Sequence, residues 1–341
     1  MLTSTDVADC AAAHAVTDAS RRHGRPWHES GSVAELTRSL QHRPPGDRLL
    51  VWLARRGAEP VGLASMWLPD DDNTDKAWLE LDVHPGARRR GIGSALLETL
   101  VAAAAADGRS ELVIGTRIPL SGPNAPAHEP EHEHERFVRR HGFTVQVHET
   151  MRHLRLPVPS ELLERLDPAA GGGIPGYRVE TVTGPIPAPL RASYCDVVNR
   201  LVVDAPSGEI DWEPETLTPA KLAACELADE RIGRTRVTSL AVHEATGRVV
   251  AYTEIVAPGT TPRSVRQEGT LVHGEHRGHR LGLAVKVANL RALAQVAPAR
   301  ELITTGNADT NPWMIAINEQ LGFHPAEAWL TCCRRLPDRG E

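Results

Sequence analysis

The chain carries one kind of bend twice: Val83-His84-Pro85-Gly86-Ala87-Arg88-Arg89-Arg90-Gly91-Ile92-Gly93-Ser94 and Val272-His273-Gly274-Glu275-His276-Arg277-Gly278-His279-Arg280-Leu281-Gly282-Leu283-Ala284. Each stretch joins a strand pattern to a helix pattern through a turn rich in arginine, histidine and glycine. Such a turn presents backbone N–H groups at a helix N-terminus, where the helix dipole and the arginines add positive charge. Each bend is therefore predicted to bind phosphate.

The two bends lie about 190 residues apart, which indicates two related domains in tandem in a chain of 341 residues. Between them, prolines and the run Gly171-Gly172-Gly173 are typical of a linker. We expect an N-terminal domain over 1–156, a linker over 157–176 and a C-terminal domain over 177–341.

The residue patterns predict the same order of elements in both halves. In the first half, strands are expected over 48–54, 61–67, 77–84 and 111–116, with helices over 91–106 and 133–141. In the second half, strands are expected over 178–183, 235–243, 249–256, 264–273 and 301–306, with helices over 190–203, 219–231, 281–296 and 316–321. Each domain is thus of the α/β (α+β) class.

The composition of the chain argues against several classes of function. The chain is 41% hydrophobic and 24% charged, and its formal net charge of −6 gives no global reason to expect nucleic-acid binding. No run approaches the ~20 apolar residues that cross a bilayer, and the start lacks the pattern of a signal peptide. Five cysteines without a CxxC pair favour neither disulfides nor zinc. We expect a cytoplasmic protein with no nucleic-acid or membrane partner.

At the first bend, Arg88 to Gly93 resembles the signature Arg/Gln-x-x-Gly-x-Gly/Ala of the GNAT superfamily, the GCN5-related N-acetyltransferases. The second bend departs from it at Arg280, where the family usually has glycine. The stretch from Asn307 to Phe323 is similar to a later family motif, which ends in Gly-Phe, and Phe137 to Phe143 echoes it in the first half. The arrangement resembles tandem acetyltransferases of actinobacteria, of which mycothiol synthase is an architectural example.

The resemblance implies two tandem GNAT domains, each with a mixed, largely antiparallel central sheet flanked by helices and with a V-shaped split between strands 4 and 5. Acetyl-CoA or another acyl-CoA would lie in the split as acyl donor, with pantetheine against the backbone near Leu271–His273 or Leu81–Val83. The implied cofactor-binding residues are Leu271, Val272, His273, Arg277, Gly278, His279, Arg280, Gly282, Leu283, Ala284, Asn307 and Asn311 in the second domain, and Val83, Arg88, Arg89, Arg90, Gly91, Ile92, Gly93 and Ser94 in the first.

The family's usual acid is a tyrosine four residues before the glycine of the final Gly-Phe. Asn318 and Val138 occupy these positions, and neither side chain is an acid. Asn318 can still donate a hydrogen bond to the sulfur of the acyl-CoA thioester. The alternative is that its amide only packs within the helix. The thiol that leaves the thioester has a pKa of about 8.5, so it can depart as a thiolate without a general acid.

Carboxylates on the central strands are the candidates for a general base. Glu254 interrupts an apolar strand, where burial would raise its pKa, and Glu268 is the second choice. The alternative interpretation is that each of these two glutamates is a solvated surface residue. His273 could also be a base, but a structural role explains it better. In the first domain, Glu80 and Asp82 lie two residues apart on one strand face. We nevertheless expect this domain to retain the fold, and an acyl-CoA site at most, while it shapes the acceptor groove.

The insertion 124–135 contains His128, His132 and His134 among four glutamates. His128 and His132 have the i, i+4 spacing of helical metal ligands. Pro126 and Pro130 interrupt that helix, so a solvated acidic loop is the better interpretation and no metal is assigned.

The favoured function is an acyl-CoA-dependent N-acyltransferase that transfers acetyl to a primary amine of a small molecule by direct attack on the thioester. Two alternatives remain: a noncatalytic acyl-CoA-binding or regulatory protein, and an acetyltransferase that acts on a protein or peptide amine. The acidic loop 204–212 is expected to line the acceptor site. The sequence leaves open the acceptor's identity, the acyl chain length, and the choice between a monomer and a homodimer.

Overall fold

The computed structural model describes residues 6–44, 46–120, 132–204, 210–213, 216–259 and 263–337, with the backbone alone for 202–204. The chain forms two compact units. The first unit contains residues 1–150, 207–213 and 326–341, and the second contains 151–206 and 214–325. Neither unit is one continuous piece of sequence.

The first unit begins with two helices, α1 (Val7–Arg22) and α2 (Val33–Gln41). Strands β1 (Asp47–Arg56), β2 (Glu59–Pro69) and β3 (Lys76–Val83) follow, and then α3 (Ile92–Ala106), β4 (Glu111–Pro119), α4 (Glu133–Arg140) and β5 (Thr144–Arg155). β1 pairs with β2 and β2 with β3 in antiparallel fashion, whereas β3 and β4 are parallel. A final strand, β11 (His324–Arg335), pairs antiparallel with β4.

The second unit contains α5 (Ser160–Leu166), β6 (Tyr177–Thr183), α6 (Ala188–Asp204), α7 (Pro219–Ile232), β7 (Thr235–His243), β8 (Arg248–Ala257) and β9 (Ser264–Val272). It continues with α8 (Leu281–Val296), β10 (Leu302–Ala308) and α9 (Pro312–Gln320). Its strands follow the order β5-β10-β9-β8-β7-β6. β9 and β10 are parallel, whereas β6 with β7, β7 with β8 and β8 with β9 pair in antiparallel fashion. The expected mixed, largely antiparallel sheet flanked by helices is confirmed.

Local sequence explains where the helices begin and end. Ser32 caps α2 by accepting from Glu35 N at 3.1 Å, and Thr218 caps α7 in the same way by accepting from Lys221 N. α7 stops at Gly233, whose φ of +87° favours glycine.

Two long strands differ from what the sequence predicts. The patterns predict no strand over 144–155 or 324–335, yet β5 and β11 occupy these residues. β5 passes from the first unit into the second at Met151, and β11 returns to the first unit at Ala326. The division of the chain therefore differs from the expected boundaries 1–156 and 177–341, because strand pairing holds 326–335 in the first unit.

The predicted linker 157–176 packs within the second unit. Leu163 of α5 is buried in an apolar core with Leu290, Leu293 and Phe323. Ile174 joins a second cluster of the same unit. Apolar side chains at these positions explain why the segment is packed despite its prolines and glycines.

Each unit has its own core. In the first, α3 contributes Leu97 and Leu100, which pack with Leu112 and Ile114 of β4 and with Phe143. In the second, Leu283 and Val287 of α8 pack among strand residues on one side of the sheet. No described helix has the length and apolar character needed to cross a membrane.

Candidate functional site

In each unit the two parallel strands pair at one end only. Pairing of β3 with β4 ends at Leu79↔Ile114, and pairing of β10 with β9 ends at Thr304↔Arg266. Beyond these points, the described residues of the two strands are no longer paired with each other. The predicted split between the two strands is therefore present in both units, and its strand backbones can hydrogen-bond an extended ligand.

A β-bulge lies at the split of the second unit. The register of β8 with β9 shifts between Thr253↔Thr270 and Ile255↔Gln267, so that β9 has one residue more than β8. Gln267 Nε2 donates to the backbone oxygen of Glu254 at 2.6 Å and to Thr253 Oγ1 at 2.9 Å. These bonds fix the bulge where the strands separate.

The two arginine-glycine bends are built alike. In the first bend, Arg88 Nε donates to the backbone oxygen of Val83 at 3.3 Å. In the second, Arg277 Nε donates to the backbone oxygen of Val272 at the same distance. Each arginine thus holds its bend against the end of the preceding strand.

The backbone is left-handed at the same two positions of each bend. φ is +61° at Arg89 and +81° at Gly91 in the first bend, and +87° at Gly278 and +57° at Arg280 in the second. The second bend therefore keeps its shape although arginine stands where the family usually has glycine. Each bend has one glycine and one arginine in this region, so the cost of a side chain in this conformation falls on Arg89 in the first bend and on Arg280 in the second.

Both bends leave helix amides free for an anion. The hydrogen bonds that open the two helices run from Ala95 N to the Gly91 oxygen at 3.0 Å and from Ala284 N to the Arg280 oxygen at 3.1 Å. No side-chain cap is found at either helix. The amides of 92–94 and 281–283 therefore point out of the helix ends, as a pyrophosphate requires. A Cβ added at Gly91 or Gly278 would meet no atom within 4 Å, so the space there is open.

The structure brings most predicted cofactor-binding residues together at these bends. In the first unit they are Val83, Arg88, Arg89, Arg90, Gly91, Ile92, Gly93 and Ser94, and in the second Leu271, Val272, His273, Arg277, Gly278, His279, Arg280, Gly282, Leu283 and Ala284.

Three of the predicted cofactor contacts are committed within the protein. The amide of Ala284 is already bonded within the helix. Asn307 Oδ1 accepts bonds from Arg152 and Asn318, and Asn311 Oδ1 caps α9 by accepting from Met314 N at 3.1 Å.

A buried polar chain surrounds the position of the family acid in the second unit. Asn318 has no exposed surface. Its Nδ2 donates to Asn307 Oδ1 at 3.2 Å, and its Oδ1 accepts from Lys286 Nζ at 3.1 Å. Asn307 Oδ1 also accepts from Arg152 Nη1 at 2.9 Å. Asn318 is therefore a fixed amide within a hydrogen-bonded chain.

Lys286 is the titratable group at this position that the sequence analysis missed. The side chain is 2% exposed, and Nζ lies 5.6 Å from the centre of the Phe323 ring. Burial lowers the pKa of Lys286 to about 7, from an ordinary value of 10.5. The amine can therefore exchange a proton near neutral pH.

Glu254 is buried, and its carboxylate faces α6. Tyr194 OH donates to Oε2 at 3.0 Å, Arg236 donates to Oε1, and Thr238 Oγ1 lies 3.4 Å from Oε2. Burial raises the pKa of Glu254, and the charge of Arg236 opposes that rise. Glu254 is therefore one member of a hydrogen-bonded ion pair. The sequence did not reveal the arginine, which comes from the neighbouring strand.

Glu268 has a different environment. Its carboxylate is paired with Arg266 of the same strand, with Arg266 Nε 2.5 Å from Oε1. The arginine side chain is 61% exposed, so this is a surface ion pair. His273 Nδ1 accepts from Glu275 N at 3.4 Å.

In the first unit the two neighbouring carboxylates are neutralised. Arg21 of α1 donates to Glu80 at 2.9 Å and to Asp82 at 3.1 Å. Burial of Arg21 lowers its pKa, but the charges of Asp82 and Glu80 raise it further, so that the net direction is upward. Val138, at the family acid position, is 3% exposed and belongs to the apolar core. This side of the first unit therefore offers no described acid at the expected place.

An indole lies across β4 of the first unit. A Cβ added at Gly115, the residue after the last β3–β4 pair, would lie 2.1 Å from the ring of Trp329. The guanidinium of Arg117 lies over the same Trp329 ring, 5.0 Å from its centre. β11 therefore supplies a bulky side chain at the opening of this split.

The described part of the loop expected to line the acceptor site packs in the first unit. Residues 205–209 are outside the described residues, but Ile210 and Trp212 belong to the first unit. Trp212 stacks on Trp78 of β3, with ring centres 5.4 Å apart. Burial of these apolar side chains explains the placement.

Two of the three insertion histidines are described, and His128 lies outside the described residues. His132 Nδ1 accepts from His134 N at 3.2 Å and caps α4. His134 Nδ1 lies 3.3 Å from the backbone oxygen of Arg117, and burial lowers the pKa of His134 to about 4. The Nδ1 atoms of His132 and His134 therefore both contact nearby backbone groups.

Comparison with known proteins agrees with this geometry. Residues 47–145 match the acetyltransferase (GNAT) domain family. A search of curated proteins gives no match.

Among solved structures, a tandem GNAT protein from the clavulanic acid biosynthesis pathway, without AcCoA, is similar over 98% of this chain and 97% of its own, with 28% identity and a TM-score of 0.74. A GCN5-related N-acetyltransferase from Sphaerobacter thermophilus is similar over 96% and 93%, with 15% identity and a TM-score of 0.63. A glucosamine N-acetyltransferase region of a fungal multi-domain GH3 β-N-acetylglucosaminidase is similar over 96% of this chain and 37% of that one, at 14% identity and a TM-score of 0.59. The second and third likenesses concern the fold alone. Residues 47–145 therefore form a GNAT domain, and the chain as a whole is similar to a tandem GNAT protein.

Proposed function

We propose that the protein transfers acetyl from acetyl-CoA to a primary amine of a small molecule, with the second unit as the working one. The observation that carries this proposal is the open strand pair β9–β10 beside an uncapped helix N-terminus. An acyl-CoA bound there supplies an activated thioester that an amine can attack. The amides of 281–283 would hold its pyrophosphate, and the free backbone of β9 near Leu271–His273 would orient its pantetheine.

Glu254 is the proposed base of the second unit. Its raised pKa brings the carboxylate closer to a working range, and the hydrogen bond from Tyr194 fixes its direction. Glu268 is the weaker candidate, because Arg266 holds it in a surface ion pair.

Lys286 and Asn318 are the proposed replacement for the missing tyrosine. Lys286 Nζ can hold or release a proton near neutral pH, and Asn318 Oδ1 fixes its position. We expect Lys286→Met to lower kcat and to remove a pH dependence near 7, while the affinity for acetyl-CoA stays within a few-fold. An unchanged kcat across the pH range would rule out this role.

The first unit is proposed to bind acyl-CoA without catalysing transfer. Its bend has the same shape as the second, but the acid position is an apolar core residue, Val138, and Arg21 neutralises Glu80 and Asp82. The alternative of a noncatalytic acyl-CoA-binding or regulatory protein thus applies best to this unit.

A small-molecule acceptor is favoured over a protein or peptide amine by the 28% identity to a tandem GNAT protein of a biosynthetic pathway. We propose a cytoplasmic location and neither a nucleic-acid nor a membrane partner, with a homodimer still open. Free thiols at all five cysteines are in keeping with a reducing compartment.

Glycine to tryptophan substitutions at equivalent positions test the assignment of the two units. Gly93 and Gly282 both lie in the first turn of the helix after the bend, and a Cβ at either would approach a side chain of the following helix at 3.3 or 3.4 Å. We expect calorimetry to find two acetyl-CoA sites, of which Gly93→Trp and Gly282→Trp each remove one. Release of free CoA with a panel of small amines should stop in Gly282→Trp and continue in Gly93→Trp.

Two outcomes would overturn the proposal. If the folded whole protein binds no acetyl-CoA, the transferase function fails. If CoA release persists in Gly282→Trp and stops in Gly93→Trp, the first unit is the catalytic one.

A further inference from the structure

Three imidazoles and a carboxylate meet beside the bend of the second unit. We call His243, His273, Glu275 and His276 the His273 cluster. One ligand atom from each of His273, Glu275 and His276 lies within 4.8 Å of the other two. The His243 ring centre is 5.0 Å from that of His276. The proposed acyl transfer uses none of these side chains, except that His273 belongs to the strand end expected to face pantetheine.

The local backbone explains why these side chains converge. Residues Gly274–His276 form a 3₁₀ turn that follows His273. In a 3₁₀ turn, side chains at i and i+3 lie one above the other, so His273 and His276 share one side of it. His243, at the end of β7, brings a third ring from a different element.

Hydroxyl groups orient two of the three imidazoles. Tyr177 OH lies 2.9 Å from His276 Nδ1, and Thr246 Oγ1 lies 3.0 Å from His243 Nδ1. Each contact leaves Nε2 as the remaining ring nitrogen. Histidines that ligate metals are held in this way by a partner on the other ring nitrogen.

The chemistry of these donors selects a class of metal ion. Imidazole suits Zn²⁺, Cu²⁺, Ni²⁺ and Co²⁺, whereas Mg²⁺ and Ca²⁺ require oxygen ligands. Zn²⁺ bonds nitrogen at about 2.0–2.1 Å in tetrahedral geometry, so its ligand atoms lie about 3.3–3.4 Å apart. A change of side-chain torsion at Glu275, whose side chain is 85% exposed, would bring its carboxylate closer to the two imidazoles.

The equivalent bend of the first unit provides an internal comparison. There, His84 corresponds to His273, but Gly86 and Ala87 stand where the second bend has Glu275 and His276. The 3₁₀ turn is the same, since His84 Nδ1 accepts from Gly86 N at 3.3 Å. The second bend therefore has donors that the turn itself does not need.

We propose that the His273 cluster is a binding site for one divalent transition-metal ion of the Zn²⁺ class. His276, His273 and Glu275 are its primary ligands, and His243 is the fourth. The site adjoins the phosphate bend, but the inference does not rest on the proposed acyltransferase function.

The test uses Zn²⁺ alone with the whole, metal-free protein. Calorimetry should detect one site that the double variant Glu275→Gly/His276→Ala loses. This variant copies the residues of the first bend, so its turn is expected to fold, and thermal unfolding checks that it does. His84→Ala is the matched control, because it removes the histidine of the other bend and should leave Zn²⁺ binding unchanged. Tyr177→Phe should weaken Zn²⁺ binding about 10-fold through the orienting partner.

Co²⁺ identifies the ligands independently. Its visible spectrum should indicate nitrogen and oxygen ligands, without the charge-transfer band of a thiolate, which excludes the cysteines. The proposal is overturned if the wild-type protein binds no Zn²⁺, or if the double variant binds Zn²⁺ as tightly as the wild type does.

Discussion

The lysine buried in the second unit allows a direct measurement of what burial costs. Lys286 of α8 is buried, with its Nζ against Asn318 of α9 and the Phe323 ring, and burial is the one cause of its pKa shift from 10.5 to about 7. At about 1.4 kcal/mol per pH unit, this shift corresponds to roughly 5 kcal/mol against the protonated amine in the folded protein. Replacing Lys286 with methionine, which is apolar and of similar length, should remove that penalty.

The sign of the pH dependence follows from the direction of the shift. Between pH 7 and pH 10.5 the unfolded chain keeps the Lys286 proton and the folded chain does not. The free energy of unfolding should therefore rise with pH in this window by about 1.4 kcal/mol per pH unit, relative to Lys286→Met. Below pH 7 both states are protonated, and the difference should be constant, with the variant more stable.

The assay can observe the amine itself, because the chain has only three lysines: Lys76, Lys221 and Lys286. NMR of protein labelled at lysine ¹³Cε should give three signals, one of which is absent in Lys286→Met and titrates near pH 7 in the wild type. Urea unfolding at pH 7.5 and 9.5 should give a wild-type-minus-variant difference that changes by about 3 kcal/mol. If the assigned signal titrates above pH 9.5 and the difference is flat, the argument from burial is refuted.

Three further substitutions test backbone and packing. Arg280→Gly should stabilise the second unit by about 0.5–1 kcal/mol, because φ is +57° there, and a lower urea midpoint would contradict this. Gly115→Ala should destabilise the first unit by about 1–3 kcal/mol through contact with Trp329. Tryptophan fluorescence can follow it, since every tryptophan except Trp313 lies in that unit, and Trp329→Leu in the same chain should restore stability. Glu254→Gln should cost the second unit about 1–3 kcal/mol by removing one of the two carboxylates that pair with the half-buried Arg236, the other being Asp229, and an unchanged unfolding midpoint would show that the pair is not stabilising.

Much of the fold was predictable because its signals are local. The strand, bend and helix at 77–106 and at 264–296 follow from periodicity and from the arginine-glycine turn, and both turns have the expected shape. Even the Arg280 departure leaves the backbone unchanged. The pairing of β11 with β4 was not predictable, because strand partners so distant in sequence leave no local pattern.

The candidate site was predictable only in part. The position of Asn318 could be found from the Gly-Phe motif, but its partner Lys286 comes from another helix. A signal for it did exist, since Lys286 interrupts the otherwise apolar run from Leu281 to Ala288. The His273 cluster shows the same limit: His273 and His276 have a readable spacing, whereas His243 joins them only through the sheet.

Because β11, the last strand of the chain, pairs with β4 of the first unit, the first unit cannot complete its sheet until synthesis has ended. β4 leaves the ribosome roughly 200 residues before the strand that covers its edge. During that interval the first unit has an unpaired edge, which is the kind of surface at which nascent chains associate wrongly. Cleavage near residue 325 would recreate this state in a mature molecule. Removal of the C-terminal segment alone would therefore damage the N-terminal unit, although the cut lies far from it in sequence.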